Sequence, residues 1–191
     1  MKNQIRKRIL AQRDALGVAE RRALSDRITS RLLALDGYRA AQCVAAYMSF
    51  GSEFDTAAVI ADLLAHRRRL VLPKVERGSR FLKFYHVTNL ERDLASGVWG
   101  IREPRIGVCG EAAPEEIDFV LVPGVAFTRR CERLGYGRGF YDRLIASFAG
   151  RPALVAAAFT MQLVAELPTS ESDQRVDLVV TEDAELQRRE S

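Results

Sequence analysis

From the amino terminus to Gly37, apolar residues recur at the spacing of one helix face. Ile5, Ile9 and Leu16 predict a first helix that ends at Gly17. A second predicted helix ends before Gly37, and its apolar residues are Leu24, Ile28, Leu32 and Leu35. The chain is therefore expected to begin with a pair of helices.

Beyond Gly37, short apolar runs of strand length alternate with helical segments. The predicted strands cover residues 43–48, 70–73, 81–87, 119–122, 153–159 and 178–181. Helices are predicted between them, from the loop after the first strand to about Arg69, over residues 140–148 and around residues 161–166. Residues 119–122 (FVLV) are all apolar, which is typical of a strand covered on both faces. This order predicts a three-layer α/β fold, with a largely parallel sheet between helices.

Two segments depart from this alternation. Residues 88–115 are rich in glycine and proline and predict a long irregular connection. The polar residues 182–191 are expected to fray. The sequence has no internal repeat, low-complexity tract or break in composition, so its 191 residues predict a single domain over residues 1–191.

The composition is that of a protein that folds in water around its own core. Hydrophobic residues make up 48% and charged residues 28%, and a chain of this length buries enough surface to fold without disulfides or structural metals. No apolar run reaches the roughly 18 residues of a membrane helix, and the basic amino terminus lacks the apolar stretch of a signal peptide. We therefore expect a cytoplasmic protein that does not bind membranes.

Cysteine and histidine are too few and too scattered for several classes of site. Cys43, Cys109 and Cys131 are far apart and form no C-x-x-C pair, so we expect reduced thiols with structural roles. His66 and His86 are the only histidines, which excludes H-E-x-x-H zinc chemistry. Both lie in segments that are predicted as a helix end and a strand, and we interpret both as structural.

Positive charge is concentrated at the amino terminus. The net charge is +4, which is too small for a protein that coats nucleic acid but suits an anionic small substrate. Residues 1–22 contain the acidic residues Asp14 and Glu20 against the basic residues Lys2, Arg6, Lys7, Arg8, Arg13, Arg21 and Arg22. This excess is explained either by a solvated helix face or by contact with phosphate or nucleic acid.

A glycine-rich segment lies between the strand at residues 119–122 and the helix at residues 140–148. Its alternating glycines are Gly135, Gly137 and Gly139. Glycine allows successive backbone N–H groups to turn toward one anion, and the N-terminus of the following helix adds positive potential. Arg133 and Arg138 would supply charge-assisted contacts, and Asp142 would hold Mg²⁺ beside phosphates.

The alternative is a flexible turn followed by an ordinary aspartate at a helix N-terminus. The segment does not match G-x-x-x-x-G-K-[ST], and it does not match G-x-G-x-x-G because residue 140 is Phe. Neither a P-loop ATPase nor a Rossmann dehydrogenase is therefore supported.

Residues 122–127 (VPGVAF) and 133–142 (RLGYGRGFYD) resemble the signature of the 5-formyltetrahydrofolate cyclo-ligase family. The resemblance continues in the family's order at Lys2 and Arg6, at Met48, Glu53 and Thr56, at Trp99-Gly100-Ile101 with Glu103-Pro104, and at Ser172-Asp173 before Val176-Asp177. It departs where many members have His for Ser172 and Tyr for Phe140. The family is similar in fold to the sugar-phosphate isomerase and coenzyme A transferase group, which implies the same three-layer arrangement.

The activity that the resemblance implies is an ATP- and Mg²⁺-dependent ring closure. It converts 5-formyltetrahydrofolate, with or without a polyglutamate tail, into 5,10-methenyltetrahydrofolate and releases ADP and phosphate. The reaction passes through a phosphorylated formyl group, an iminium phosphate. ATP is a co-substrate and Mg²⁺ the cofactor, and we expect a monomer without a nucleic-acid partner.

The resemblance also implies which residues form the site. It places ATP against Lys2, Arg6, Arg133, Leu134, Gly135, Tyr136, Gly137, Arg138, Gly139, Phe140 and Tyr141. It places the folate against Met48, Glu53, Tyr136, Gly137, Arg138, Gly139 and Phe140. Arg133 and Tyr141 are the implied catalytic residues, and Asp142 and Asp173 are the implied ligands of Mg²⁺. Trp99 is flat enough to stack on the substrate but is more often a core residue, and we leave it outside the site.

Several of these residues also have a plainer interpretation. Lys2 and Arg6 are four apart on one helical face and can be a solvated pair. Glu53 can simply precede a capped helix, Met48 can be a core residue and Asp173 can be a turn residue.

Two other functions fit the same features. The basic amino-terminal helices and the glycine-rich segment can instead bind RNA, in which case affinity falls steeply with salt. A different ATP-using or phosphosugar enzyme can also be built on a similar sheet, because a fold alone does not fix a function.

Overall fold

The computed structural model describes residues 1–75, 81–97 and 100–188. Its helices are α1 (Lys2–Asp14), α2 (Val18–Ala34), α3 (Asp36–Ala40), α4 (Ala57–Ala65), α5 (Leu90–Asp93) and α6 (Phe140–Ser147), with short 3₁₀ turns at Pro114–Glu116 and Thr160–Gln162. Trp99 lies outside the described residues. None of the described helices is long and apolar enough to cross a membrane.

Each of the six predicted strand runs overlaps a strand, and the described residues contain six further strands that were not predicted. The strands are β1 (Cys43–Ala45), β2 (Arg69–Val75), β3 (Leu82–Val87), β4 (Leu94–Ser96), β5 (Arg102–Pro104), β6 (Glu111–Ala112), β7 (Phe119–Leu121), β8 (Ala126–Phe127), β9 (Arg133–Leu134), β10 (Ala153–Ala157), β11 (Leu178–Val180) and β12 (Glu185–Gln187). Within the described residues, eight of them form one sheet in the order β12-β11-β10-β7-β1-β2-β3-β6. The central strands β11, β10, β7, β1 and β2 pair in parallel, and β12, β3 and β6 pair antiparallel at the edges. The predicted mostly parallel sheet is therefore confirmed.

The all-apolar sequence of β7 reflects burial on both faces of the sheet. Phe119 and Leu121 belong to one core cluster, whereas Val120 belongs to another. Because side chains alternate along a strand, the two clusters lie on opposite faces. Helices α2 and α4 pack on the first face, and Leu144 of α6 packs on the second. The result is the three-layer α/β arrangement.

Helix α1 packs on a small hairpin beside the main sheet. Strands β8 and β9 pair antiparallel in this hairpin. Ile9 of α1 is buried against Val125, Ala126 and Leu134. Since β9 leads directly into the glycine-rich segment, this packing places the amino-terminal helix next to it.

Besides the unpredicted α3, β8 and β9, and α4, which ends at Ala65 rather than near Arg69, the structure differs from the sequence-based predictions in three further segments. The tail predicted to fray contains β12, which pairs with β11 and whose Leu186 packs against the core. The connection predicted as irregular contains short elements, namely α5, β4, β5 and β6. The helix predicted around residues 161–166 is only the 3₁₀ turn Thr160–Gln162. Strands β12 and β6 depend on pairing with β11 and β3, and local sequence does not record such pairing. Helix α5 is capped locally, because the Asn89 side chain accepts hydrogen bonds from the backbone N–H groups of Glu91 and Arg92.

Candidate active site

A cavity of about 810 Å³ opens at the carboxyl ends of the central parallel strands. Residues from three of these strands or just after them line the cavity. Met48 follows β1, Pro73 and Val75 lie in the second half of β2, and Pro123 follows β7. This is the edge of a parallel sheet where ligands bind in α/β proteins. Every residue that the resemblance placed in the site lines this cavity: Lys2, Arg6, Met48, Glu53, Arg133, Leu134, Gly135, Tyr136, Gly137, Arg138, Gly139, Phe140, Tyr141, Asp142 and Asp173.

The glycine-rich segment, residues 135–139, forms one wall between β9 and α6. Gly137 and Gly139 have φ of +99° and +65°, a region that other residues rarely adopt. A Cβ at position 137 would lie 3.3 Å from Cζ of Arg6. Arg6 itself donates from Nε to the carbonyl oxygen of Gly135 over 2.7 Å. The backbone conformation therefore favours glycine here, and a larger side chain would also have to displace the Arg6 guanidinium.

Charged side chains of both signs line the cavity, with positive charge in excess. Among the described lining residues the cations are Lys2, Arg6, Arg102, Arg133, Arg138 and Arg143, and the carboxylates are Glu53, Glu103, Asp142 and Asp173. An excess of two positive charges in a concave, partly desolvated site favours an anionic ligand.

The two residues that the resemblance implies as ligands of Mg²⁺ form ion pairs with two residues that it implies as contacts of the ATP phosphates. Nη2 of Arg133 donates to Oδ1 of Asp142 over 2.6 Å, and Nζ of Lys2 donates to Oδ2 of Asp173 over 2.5 Å. The Arg133 side chain is only 3% exposed, and its Nε is buried without a hydrogen-bond partner in the described part of the chain. An unsatisfied buried donor is costly and is typical of a functional site.

Asp142 and Asp173 are close neighbours across the cavity wall. The backbone N–H of Gln174, which follows Asp173, donates to Oδ1 of Asp142 over 3.1 Å. Burial raises the pKa of Asp173, but hydrogen bonds from Lys2 and Ser170 outweigh it, so the pKa lies below its ordinary value. Asp173 is therefore ionised at neutral pH.

The donor set at this wall suits a cation that is shared with phosphates. No group of three or more His, Cys, Asp or Glu side chains suited to a metal occurs among residues 1–75, 81–97 and 100–188. The carboxylates available at this wall are those of Asp142 and Asp173. Mg²⁺ binds in this manner, through one or two carboxylates, substrate phosphates and water, so the residues present fit Mg²⁺.

A chain of hydrogen bonds runs through the cavity wall at Glu53. The Tyr136 hydroxyl donates to Oε1 of Glu53 over 2.5 Å and accepts from Nη2 of Arg13 over 3.0 Å. Oε2 of Glu53 accepts from the backbone N–H of Phe50 over 3.1 Å. Burial raises the pKa of Glu53 above its ordinary value, because it outweighs the lowering by these bonds and by the charge of Arg13.

Apolar and aromatic groups complete the wall beside Glu53. They are Tyr47, Met48, Phe50, Pro73, Val75, Leu82 and Ile101. The rings of Phe50 and Tyr136 lie 5.5 Å apart at an interplanar angle of 41°. A carboxylate set between flat apolar surfaces can bind a planar ring with adjacent N–H donors.

Helix α6 contributes the remaining predicted residues. Burial, followed by the negative charge of Glu53, raises the pKa of Tyr141, so its hydroxyl is a hydrogen-bond donor at neutral pH. Arg143 lies with its Cζ 5.6 Å from the ring centre of Phe140 and donates from Nη2 to the carbonyl oxygen of Arg138 over 2.8 Å. Arg143 thus braces the start of the helix against the glycine-rich segment.

Sequence analysis missed Arg13, Phe50 and Arg143. Arg13 counted only as part of the basic amino terminus, yet it is 2% exposed. Its spacing carried a signal, because Arg6 and Arg13 are seven residues apart and therefore lie on one helix face. For Phe50 and Arg143, nothing in the local pattern distinguished them from other loop or helix residues.

Comparisons with known proteins agree with the resemblance. The model of the 5-formyltetrahydrofolate cyclo-ligase family matches residues 1–182. A Haemophilus influenzae protein named 5-formyltetrahydrofolate cyclo-ligase is 30% identical over 177 residues, which cover 90% of this chain and 92% of that protein. A Mus musculus protein of the same name is 28% identical over 178 residues, which cover 89% and 88% of the two chains.

A solved structure extends this likeness to three dimensions. The 5,10-methenyltetrahydrofolate synthetase of Aquifex aeolicus matches with a TM-score of 0.87 and 35% identity, covering 100% of this chain and 94% of that one. Family model, sequence relatives and fold therefore lead to one conclusion, and the family inferred from residues 122–142 is confirmed: the chain belongs to the 5-formyltetrahydrofolate cyclo-ligase family.

Proposed function

We propose that this chain catalyses the ATP- and Mg²⁺-dependent cyclisation of 5-formyltetrahydrofolate to 5,10-methenyltetrahydrofolate, with release of ADP and phosphate. The observation that carries the proposal is the convergence in one cavity of Lys2, Glu53, the segment 135–139, Asp142 and Asp173. The names of the sequence relatives and of the solved neighbour support the same reaction.

The reaction requires activation of a poor electrophile. The formyl group on the ring nitrogen is amide-like, so its carbon resists attack and its oxygen is a poor leaving group. The formyl oxygen attacks the γ-phosphorus of ATP, the bond from that phosphorus to the bridging oxygen breaks, and ADP leaves. The nitrogen of the aminobenzoyl arm then attacks the activated carbon and gives up its proton. Breakage of the carbon–oxygen bond releases phosphate, which carries the former formyl oxygen.

The chain's part in this scheme is to align the reactants and neutralise charge, because no protein nucleophile is needed. The backbone N–H groups of the glycine-rich segment bind the triphosphate, with Leu134, Arg138 and Phe140 beside them. Lys2 and Arg6 reach the phosphates from α1. Arg133 and Tyr141 stabilise the phosphoryl group during transfer, the first by its charge and the second by its protonated hydroxyl.

Asp142 and Asp173 hold Mg²⁺ in this proposal. When bound, Mg²⁺ supplies positive charge that neutralises the phosphates and lowers the barrier to phosphoryl transfer. Before the nucleotide binds, the ion pairs Arg133–Asp142 and Lys2–Asp173 hold the two cations at this wall. Phosphates replace the carboxylates as partners of the two cations, so each buried charge keeps an opposite charge beside it.

Glu53 and Met48 bind the folate. The Glu53 carboxylate accepts from adjacent N–H donors of the pterin, and Met48 packs on its ring. Tyr136, Gly137, Arg138, Gly139 and Phe140 contact the folate from the other side, so that the reacting formyl oxygen faces the triphosphate.

We also propose that the chain acts as a monomer in the cytoplasm. Cys43, Cys109 and Cys131 are buried free thiols, and a reducing compartment keeps thiols in this form.

A substrate panel tests the proposal. The purified chain is incubated with ATP and Mg²⁺ and with 5-formyltetrahydrofolate, tetrahydrofolate, a phosphosugar or RNA. We expect the strongly absorbing methenyl product from the formyl folate alone, with one ADP released per product. Release of ADP without product, or product without ATP, contradicts the proposal.

A further inference from the structure

Arg13 is a buried cation whose side chain donates hydrogen bonds to two uncharged hydroxyl groups. It lies in the last turn of α1 and is 2% exposed. Among the described residues no carboxylate lies within ion-pair distance of it. Its Nε donates to Oγ of Ser52 over 3.0 Å and its Nη2 donates to the Tyr136 hydroxyl over 3.0 Å. Burying an arginine at the end of a surface helix costs free energy, so a role beyond packing is indicated.

The direction of the hydrogen bonds at Tyr136 is fixed by Arg13. A guanidinium can only donate, so the Tyr136 hydroxyl must accept from it and use its own proton toward Glu53. The bond to Glu53 spans 2.5 Å and joins a neutral donor to a buried carboxylate. Arg13 therefore holds Tyr136 in the one orientation that links it to Glu53.

The backbone around Tyr136 offers little restraint of its own. Gly135 and Gly137 flank it, and glycine has more conformational freedom than any other residue. The tyrosine is 38% exposed, so packing holds it only in part. Contacts with α1 therefore help to hold this segment, because Arg6 bonds to Gly135 and Arg13 bonds to Tyr136. They act together with the bond from Arg143 to Arg138.

We propose that Arg13 is a positioning residue which, through the Tyr136 hydroxyl, makes binding of nucleotide and binding of folate interdependent. The inference rests on the proposed function, in which the glycine-rich segment binds the triphosphate and Glu53 binds the pterin. Both proposed ligands contact Tyr136, so a ligand that holds the Arg13–Tyr136–Glu53 chain more firmly on binding spares the other ligand part of that cost, which gives positive coupling without a large movement. Coupling of this kind is reciprocal.

Calorimetric titration measures the coupling directly. 5-Formyltetrahydrofolate is titrated into the protein with and without a non-hydrolysable ATP analogue and Mg²⁺, and the ratio of the two dissociation constants is the coupling factor. We expect a factor of about ten for the wild type, within the usual range. In Arg13→Met and in Tyr136→Phe the factor should fall below about two, and the double variant should lose no more than either single one.

Arg8→Met is the matched control, because Arg8 is an exposed residue of the same helix. It should keep the wild-type coupling factor. Circular dichroism checks that each variant is folded, and Tyr136→Phe tests the inference on its own if Arg13→Met does not fold, since the altered side chain is partly exposed.

The outcomes separate this inference from the proposed function. A wild type that binds both ligands independently overturns the inference and leaves the function intact. So does a variant that weakens folate binding equally with and without nucleotide, because that is the behaviour of a residue with a local structural role. A wild type that binds neither ligand overturns both.

Discussion

Replacing Asp173 by Asn should change ATP affinity in opposite directions with and without Mg²⁺. In the structure Asp173 accepts hydrogen bonds from Nζ of Lys2 over 2.5 Å and from the backbone N–H of Ser170 over 2.7 Å. Asparagine has the same shape and can still accept from Ser170. It removes one negative charge from the cavity and leaves Lys2 without its ion-pair partner.

The size of the effect follows from the exposure of the pair. The Lys2 and Asp173 side chains are 32% and 20% exposed, so water screens part of their attraction. Pairs of this kind contribute about 1 kcal/mol. This free energy corresponds to about a fivefold change in a dissociation constant. ATP without a divalent cation should therefore bind Asp173→Asn about fivefold more tightly than wild type, because Lys2 is released to the phosphates.

In the presence of Mg²⁺ the sign reverses, since a neutral amide is a weaker ligand for Mg²⁺ than a carboxylate. Calorimetric titration of ATP into each protein, once in EDTA and once in excess Mg²⁺, measures both affinities. Asp183→Asn is the control, because Asp183 pairs with Arg27 over 2.8 Å and both side chains are 56% exposed and away from the cavity. Unchanged or weaker binding of metal-free ATP to Asp173→Asn would refute the partner exchange.

Three further changes test other parts of the molecule. Gly137→Val should weaken ATP binding about tenfold, because φ of +99° is strained for any side chain; Gly37→Ala, at a position with nothing within 4 Å of the added Cβ, should leave affinity unchanged. Asp142→Asn should lower turnover and flatten its dependence on Mg²⁺, and an unchanged magnesium titration curve counts against the proposed ligand. Asp93→Asn should lower the free energy of unfolding at pH 7 by about 2 kcal/mol. The Arg92 hydrogen bond and backbone N–H groups hold the pKa of Asp93 well below its usual range. This stabilisation is therefore present above about pH 4 and is lost as the pH falls further, so urea unfolding at several pH values should show the difference between the two proteins shrinking in acid.

The central sheet was predictable because its strands have a recognisable apolar pattern in the local sequence. Parallel strands buried on both faces must be apolar throughout, and residues 119–122 show this directly. Strand β12 has no such apolar pattern, because Leu186 is the single apolar residue of Glu185–Gln187. Its formation depends on pairing with β11.

The candidate site likewise has a part that the sequence predicts and a part that it does not. The glycine-rich segment is contiguous, so its alternating glycines and its flanking charges can be recognised from sequence. The ion pair between Lys2 and Asp173 joins residues 171 positions apart, and no local pattern encodes such a contact. The buried Arg13 likewise has its hydrogen-bond partners far along the chain, at Ser52 and Tyr136. Arginine is exposed in most helices of this kind, so composition favours the wrong prediction.

The transfer of a phosphoryl group to the formyl oxygen is the central claim, and an isotope label tests it most directly. 5-Formyltetrahydrofolate labelled with ¹⁸O in its formyl group is converted in a single turnover with unlabelled ATP and Mg²⁺, and the inorganic phosphate is analysed by mass spectrometry. The account predicts that the phosphate released carries the label, because the formyl oxygen departs bonded to phosphorus. Unlabelled phosphate, with the label recovered in water, would contradict it.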